Sequence, residues 1–312
     1  TFGDVEAVAD VSFEVARGEI FAFLGPNGAG KTTMLQMLAT LLPMDGGVAQ
    51  IFGVDVKKYP HVVRQLVGVT GQYASVDDDL TATENLWLFG RLQGLRPADA
   101  RATARDLLEQ FGLQEAARKP LSQFSGGMRR RLDLAASLIT RPPLIFLDEP
   151  TTGLDPRTRG QMWDTIRGLV ASGCTILLTT QYLDEADQLA DRIAVIDRGH
   201  KVAEGTSDQL KSQVGSSTLQ LRLLDPAQTG QAVDVVRRVV GDEPVLTPEA
   251  GGINVPLPDA NRAADVLIGL REQELLITSA TVQKPTLDEV FMALTGHAAE
   301  ENETNEEMEA VR

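Results

Sequence analysis

Three short stretches place chemically capable residues at spacings suited to phosphate chemistry. Gly25-Pro26-Asn27-Gly28-Ala29-Gly30-Lys31-Thr32, followed by Thr33, fits the pattern Gly-x-x-x-x-Gly-Lys-Ser/Thr. Glycines allow successive backbone N–H groups to converge on phosphate oxygens, where a Cβ would obstruct the turn. Lys31 can neutralise charge on β- and γ-phosphates, and the Thr32 hydroxyl is an oxygen ligand of the kind Mg²⁺ accepts. Further on, the apolar run Leu144-Ile145-Phe146-Leu147 ends on Asp148 and Glu149. Asp148 can hold Mg²⁺ through water, and Glu149 can take a proton from an attacking water. The third stretch, Ser125-Gly126-Gly127-Met128, opens a helical pattern carried by Leu132, Ala135 and Ile139. It makes a second anion-binding helix start. A single nucleotide needs one phosphate loop, so a second cradle in the same chain predicts a site completed by another subunit.

These residues need elements to hold them. Short apolar runs recur at Ile20–Leu24, Leu144–Leu147, Thr175–Leu178 and Ile193–Ile196. Strands apolar on both faces belong to a parallel sheet covered by helices on both sides, which predicts an α/β core over the first 205 or so residues. The phosphate loop sits between the first of these strands and a helix at Met34–Leu42. A helical insertion interrupts the core at about 76–141; it opens at Thr81-Ala82-Thr83-Glu84, which has capping-box spacing, and continues through Asp99–Phe111 to Arg141. Residues 211–218 are polar, with Gly and Ser, and are expected to form a linker. Beyond them, Leu219, Leu221 and Leu223 alternate as in a half-buried strand, and Val233, Val236 and Val240 follow at helical spacing. Ile253, Val255 and Leu257 predict a second strand, Ala263, Val266, Leu267 and Leu270 a second helix, and Leu275–Val282 a last strand. Thr286-Leu287-Asp288-Glu289 repeats the capping-box pattern before Val290, Phe291 and Leu294. Residues 219–296 therefore predict a small α+β domain. Residues 297–312, rich in Glu, are expected to be a disordered acidic tail.

Composition narrows the function classes. The 312 residues carry a formal charge of −15, and such acidity repels phosphate backbones and anionic headgroups, so neither nucleic-acid binding nor direct lipid insertion is expected. No run approaches the ~18 apolar residues that span a bilayer. One Cys excludes an internal disulfide and a structural zinc site, and Cys174, ahead of an apolar strand, is expected to be a small packed residue. His61, His200 and His297 have no metal-ligand spacing. Met34 and Met37 are expected to serve packing. Arg129-Arg130-Arg131 is expected to be a solvated helix face. The chain begins with Thr instead of Met, so its true start is expected upstream.

Taken together, these motifs resemble the ATP-binding subunits of ABC transporters. Phe124-Ser125-Gly126-Gly127-Met128 stands where that family usually reads Leu-Ser-Gly-Gly-Gln; the first and last positions depart while Ser125 and Gly127 are kept. The chain is most similar to the daunorubicin/doxorubicin-resistance type of bacterial exporter ATPase, through Ser125–Leu132, Thr179–Asp187 and Pro285–Phe291. The resemblance covers residues 2–296 and is strongest over 19–205. It implies a P-loop NTPase fold, with a RecA-like parallel sheet and an ABC helical subdomain, over 1–210. It also implies that Gln72 reaches Mg²⁺ and the attacking water, that Asp155 touches the opposing subunit, and that Phe2, 29 positions before Lys31, stacks on adenine. The family's His after the fourth core strand is replaced by Gln181, which can donate a hydrogen bond to a phosphate oxygen but cannot carry charge. Implied partners are a separate membrane permease and a second copy of the chain, at the cytoplasmic face of the cell membrane. The implied task is ATP-driven export of a drug-like, antibiotic-like or lipid-like compound.

Two other classes share this ATPase head. Nucleic-acid repair ATPases typically insert long coiled coils or zinc modules, and neither heptad arrays nor Cys clusters occur here. Translation factors of the class join two heads in one polypeptide, and this chain has one phosphate loop.

Overall fold

The computed structural model describes residues 6–71, 76–214, 217–241, 243–247, 250–257 and 261–296. The chain divides into two compact units, the first closing at Ser207 and the second opening at Asp208.

The first unit runs β1 (Ile20–Leu24), α1 (Lys31–Leu38), the small hairpin β2 (Gln50–Ile51) and β3 (Val54–Asp55), α2 (Pro60–Leu66), β4 (Val67–Thr70), α3 (Ala82–Leu92), α4 (Pro97–Gln110), α5 (Gly126–Ser137), β5 (Leu144–Asp148), α6 (Pro156–Ala171), β6 (Thr175–Thr180), α7 (Leu183–Leu189), β7 (Arg192–Asp197) and β8 (His200–Gly205). Six of the strands form one sheet in the order β4-β5-β6-β1-β7-β8. β4 to β7 are parallel, and β8 closes the edge antiparallel to β7. Every residue of β1, β5 and β6 is buried, as expected of a parallel sheet covered on both faces. Phe21 stacks on Phe13, Phe23 meets Phe13 edge-on, and Phe146 joins the same core. Burying an aromatic or Leu side chain contributes roughly 1.5–3 kcal/mol, so these strands anchor their own loops firmly.

Between β4 and β5 lies the helical insertion. Its first helix starts on a complete capping box: the Thr81 hydroxyl accepts from the Glu84 N–H, and the Glu84 carboxylate accepts from the Thr81 N–H at 2.8 Å. Asn85, buried one turn in, donates to the backbone carbonyls of Asp77 and Thr81 and ties the helix to the loop before it.

The described residues of the segment expected to be a linker, 211–214 and 217–218, lie in a helix and a strand. α8 (Ser207–Val214) is helical through residues 211–214, and β9 begins at Ser217. Asp208 in the first turn, Lys211 in the last and a fully buried Leu210 favour helix over the Gly215-Ser216 signal, which covers only two residues.

The second unit continues with β9 (Ser217–Leu223), α9 (Thr229–Val240), β10 (Val245–Leu246), β11 (Gly252–Leu257), α10 (Arg262–Glu272), β12 (Ile277–Gln283) and α11 (Leu287–Thr295). Its antiparallel sheet has the order β10-β11-β9-β12. Leu219, Leu221 and Leu223 alternate with exposed neighbours along β9 and pack with Ala232, Val236, Ile253, Val255, Val266 and Leu270. β12 forms the last strand expected near Leu275–Val282, and all seven of its residues are exposed at the sheet edge. The capping box at Thr286 and Glu289 forms in full.

Candidate active site

The carboxyl ends of β1, β5 and β6 converge because these strands are neighbours in the sheet. β1 delivers the phosphate-loop residues, and α1 opens at Lys31 with its N–H groups facing the loop. Gly30 carries φ +100°, and a Cβ there would lie 2.2 Å from the carbonyl oxygen of Ala7, so only glycine fits this turn. The Lys31 ammonium is buried and donates to the carbonyls of Gly25 at 2.7 Å and Pro26 at 3.0 Å. Those bonds hold its charge over the loop. Asn27 through Thr33, together with Ala7 and Glu149, line a cavity of about 200 Å³.

Asp148 is the last residue of β5, in register with Thr179 of β6. Its Oδ1 accepts hydrogen bonds from the Thr32 hydroxyl at 2.9 Å and the Thr179 hydroxyl at 2.5 Å. Thr32 and Asp148 thus bring two hard oxygen donors together beside the loop. That set fits Mg²⁺, which takes one or two protein oxygens and completes its shell with water and phosphate. No cluster of three His, Cys, Asp or Glu side chains among the described residues builds an all-protein metal cage.

Glu149 sits in the left-handed region at φ +48°, a conformation that costs roughly 1–3 kcal/mol in a residue with a side chain. The turn is held: the Glu149 N–H donates to both the carbonyl and the hydroxyl oxygen of Thr179, each at 3.1 Å. The Thr152 hydroxyl donates to Glu149 Oε2 at 3.2 Å. A carboxylate fixed in this way at the cavity wall can serve as a proton acceptor.

The remaining candidates stand elsewhere. Ser125 caps α5 by accepting from the Met128 N–H, and Gly126 and Gly127 follow as its first turn. Asp155 caps α6: its carboxylate accepts from the Thr158 N–H at 3.0 Å and the Thr158 hydroxyl at 2.5 Å, and these bonds hold its carboxyl below the usual range. None of these four residues lines the phosphate-loop cavity. Gln181 follows β6, and its side-chain oxygen is buried with no hydrogen-bond partner among the described residues. Phe2 and Gln72 lie outside the described residues. Cys174 is buried directly before β6, where burial pushes its thiol up to about 11, as suits a small packed residue.

The basic run is not one solvated face. Arg129 pairs with Asp78 at 2.6 Å, and Arg131 donates to the Phe111 carbonyl. Arg130 turns inward, donating to the carbonyls of Gly71, Asp148, Glu149 and Pro150. Consecutive residues on a helix are set about 100° apart, so three arginines in a row cannot share a face. Arg130 lies three positions from both Gly127 and Asp133, which the structure shows to be buried, so it shares the inward side of α5. Two residues of the Thr179–Asp187 stretch carry roles that the sequence did not assign. Thr179 is found only through its register with Asp148. Glu185 of α7 is fully buried, accepting from the Thr151 hydroxyl at 2.7 Å and the Trp163 ring N–H at 3.3 Å. Burial pushes its carboxyl up, against the Thr180, Thr151 and Trp163 hydrogen bonds, which favour the charged form.

A largely parallel sheet with a buried Lys and a half-buried Thr at the loop and two carboxylates at a nearby strand end defines a nucleoside-triphosphate hydrolase of the phosphate-loop class. A family model described as ABC transporter matches residues 8–152, and one described as ATP-binding protein DrrA1-3-like, C-terminal domain, matches residues 205–295. Over 99% of its length the chain is 49% identical to the daunorubicin/doxorubicin resistance ATP-binding protein DrrA of Streptomyces peucetius, covering 93% of that protein. It is 44% identical, over 94% of its length and 89% of the relative, to the doxorubicin resistance ATP-binding protein DrrA of Mycobacterium tuberculosis. A solved dimeric ATP-binding cassette in a post-hydrolysis state, bound to ADP and Pi, matches with a TM-score of 0.59 at 25% identity, over 65% of this chain and 91% of that one. The chain belongs to the ABC transporter ATP-binding proteins, in the group with a DrrA-like C-terminal domain, and is an ATP-binding ATPase subunit.

Proposed function

We propose that this chain powers export of a drug-like, antibiotic-like or lipid-like compound through a separate membrane permease, by hydrolysing ATP between two copies of itself arranged head to tail. The relatives named for daunorubicin and doxorubicin resistance support the task. No helix among the described residues is long and apolar enough to cross a membrane, so the translocation path falls to the permease. Attachment through that permease places the chain at the cytoplasmic face of the cell membrane.

The observation that carries the site assignment is the 2.9 Å contact between Thr32 and Asp148, with Glu149 on the wall of the same cavity. In this assignment the loop from Gly25 to Thr33 binds the phosphates through its backbone N–H groups, all but that of Pro26, which has none, with Lys31 releasing the loop carbonyls to meet the β- and γ-phosphates. Thr32, Asp148 and Gln72 hold Mg²⁺, directly or through water; when bound, the ion neutralises charge that develops on the phosphoryl oxygens. Glu149 takes the proton of the attacking water, Gln72 orients that water, and Gln181 offers its amide to the γ-phosphate. The unpartnered buried oxygen of Gln181 is an acceptor and calls for a hydrogen-bond donor such as a water beside it, while its NH₂ is the group that can reach a phosphate oxygen. Phe2 stacks on adenine. Ser125, Gly126 and Gly127, with Asp155, face the nucleotide held by the partner copy.

Replacing Glu149 with Gln tests the assignment. Glu149→Gln should bind ATP at the parent affinity, lose turnover on the order of 10²-fold or more, and accumulate as an ATP-bound dimer in size-exclusion chromatography. A monomeric variant that still hydrolyses ATP would remove both the base and the head-to-tail site.

A further inference from the structure

Arg130 connects three segments that the proposed reaction must keep in step. It lies on α5, one turn beyond the cap residue Ser125. Its guanidinium donates from one terminal nitrogen to the Gly71 carbonyl at 2.6 Å, from the other to the Asp148 carbonyl at 2.8 Å and the Glu149 carbonyl at 2.9 Å, and from Nε to the Pro150 carbonyl at 3.1 Å. Gly71 is the residue after β4 and directly precedes Gln72, while residues 148–150 form the turn that carries the proposed base.

The physics of this arrangement is specific. The turn places Glu149 at positive φ, and three successive carbonyls, those of 148, 149 and 150, accept from Arg130; the Glu149 carbonyl also accepts from the Thr152 N–H at 3.3 Å. A buried carbonyl without a donor costs ~1–3 kcal/mol, and guanidinium is the one side chain with five N–H groups in a planar fork. Asp133, Asp148, Glu185 and Glu149 favour its charge electrostatically, against the burial that lowers its pKa. Arg keeps that charge through any ordinary pH.

We propose that Arg130 is a positioning residue for hydrolysis: it braces the turn bearing Glu149, ties that turn to the strand end before Gln72, and joins both to the helix whose Ser125 faces the partner's nucleotide. The inference rests on the proposed roles of Glu149 and Ser125. α5 is twelve residues long, so a displacement at its Ser125 end is felt at the Arg130 fork. The closure of one nucleotide site and the alignment of the base at the other are linked within one chain.

The test is a kinetic split with a double variant. Arg130→Gln offers one amide nitrogen in place of a fork and cannot reach both strand ends. Its kcat should fall on the order of 10–100-fold, the loss expected when a reacting group is misplaced by about 1 Å. KM and the equilibrium ATP affinity should stay within about twofold of the parent. Because Arg130 acts chiefly by aligning Glu149, adding Arg130→Gln to Glu149→Gln should slow single-turnover hydrolysis by far less than it slows the parent. Arg130→Lys retains charge and fold but has no planar fork, and should show the same split with a smaller kcat loss. Parental kcat in Arg130→Gln or Arg130→Lys would overturn the inference, as would losses that multiply in the double variant or a joint fall of kcat and ATP affinity. A parent chain that hydrolyses no ATP at all would instead remove the functional reading beneath it.

Discussion

The two units handle polarity in opposite ways. In the first, Lys31, Thr70, Asn85, Asp133, Asp148, Glu149, Thr151, Thr175, Thr179, Thr180 and Glu185 are all buried, most of them at the carboxyl ends of the sheet. In the second, no polar or charged side chain among the described residues is buried, and its core is Leu, Val, Ile and Ala. Burying a polar group costs several kcal/mol unless every partner is supplied, so a fold accumulates such groups where chemistry needs them. The first unit spends stability on a reaction site. The second is built as a β-sheet and helix module whose interior has no reactive function, which leaves its surface as the part that can act.

Removing the charge at the centre of the first unit should give the largest effect. Lys31→Ala deletes the ammonium that spans the Gly25 and Pro26 carbonyls and is proposed to meet the nucleotide phosphates. Truncating one partner of a buried charged contact costs roughly 2–5 kcal/mol, or on the order of 30- to 4000-fold in affinity. Equilibrium titration with a fluorescent ATP analogue reads this directly. Parental affinity in Lys31→Ala would mean that the buried polar groups of the first unit are structural and that the nucleotide site lies elsewhere.

Much of that contrast was legible in the sequence, for identifiable reasons. Ile20–Leu24, Leu144–Leu147, Thr175–Leu178 and Ile193–Ile196 are apolar at every position, and a strand buried on both faces leaves just such a trace. The Thr81 and Thr286 capping boxes announced their helices because the signal is local, within four residues. β4 was missed because Val67-Gly68-Val69-Thr70 is four residues long with a glycine inside. β8 was missed because its side chains are mostly polar and partly exposed. Thr179 and Arg130 depend on tertiary partners more than twenty-five and fifteen positions away in the chain, respectively, and a pattern confined to neighbours cannot show them. The last strand, expected near Leu275–Val282, forms as β12, and its place at an exposed sheet edge comes from its pairing with β9, which its own sequence does not state.

A cavity in the second unit should separate the two regions. Leu221 lies on β9, between β11 and β12, with 3% of its surface exposed. Leu221→Ala should cost about 2–5 kcal/mol of that unit's stability, by lost burial and an unfilled cavity. The two tryptophans, Trp87 and Trp163, both lie in the first unit, so their fluorescence follows that unit alone while circular dichroism follows both. In denaturant, the dichroism of Leu221→Ala should show an earlier transition with the fluorescence midpoint nearly unchanged, and ATP affinity should remain within about twofold. A fall in ATP affinity matching the lost stability would show that the second unit's core supports the nucleotide site after all.

The smallest effect should come from a buried polar group outside the cavity, Glu185. Burial raises its folded-state pKa above the ordinary glutamate value, so the folded chain holds the proton more tightly than the unfolded chain does. Stability from this group is therefore fully present below the unfolded pKa and is lost as pH rises through the folded one. Glu185→Gln keeps an acceptor for the Thr151 hydroxyl and the Trp163 ring N–H while removing the ionisable proton. Parent and variant should differ by no more than about 1 kcal/mol near pH 5, and the parent should lose ground to the variant toward about pH 8. Denaturant unfolding followed by Trp163 fluorescence measures both pH values in one experiment. A parent that instead gains on Glu185→Gln with rising pH would show that the carboxylate is ionised in the folded state, held by its hydrogen-bond donors against burial. Glu185 would then be a buried charge set beside the Thr151 loop, and the electrostatics behind the Asp148–Glu149 turn would have to include it.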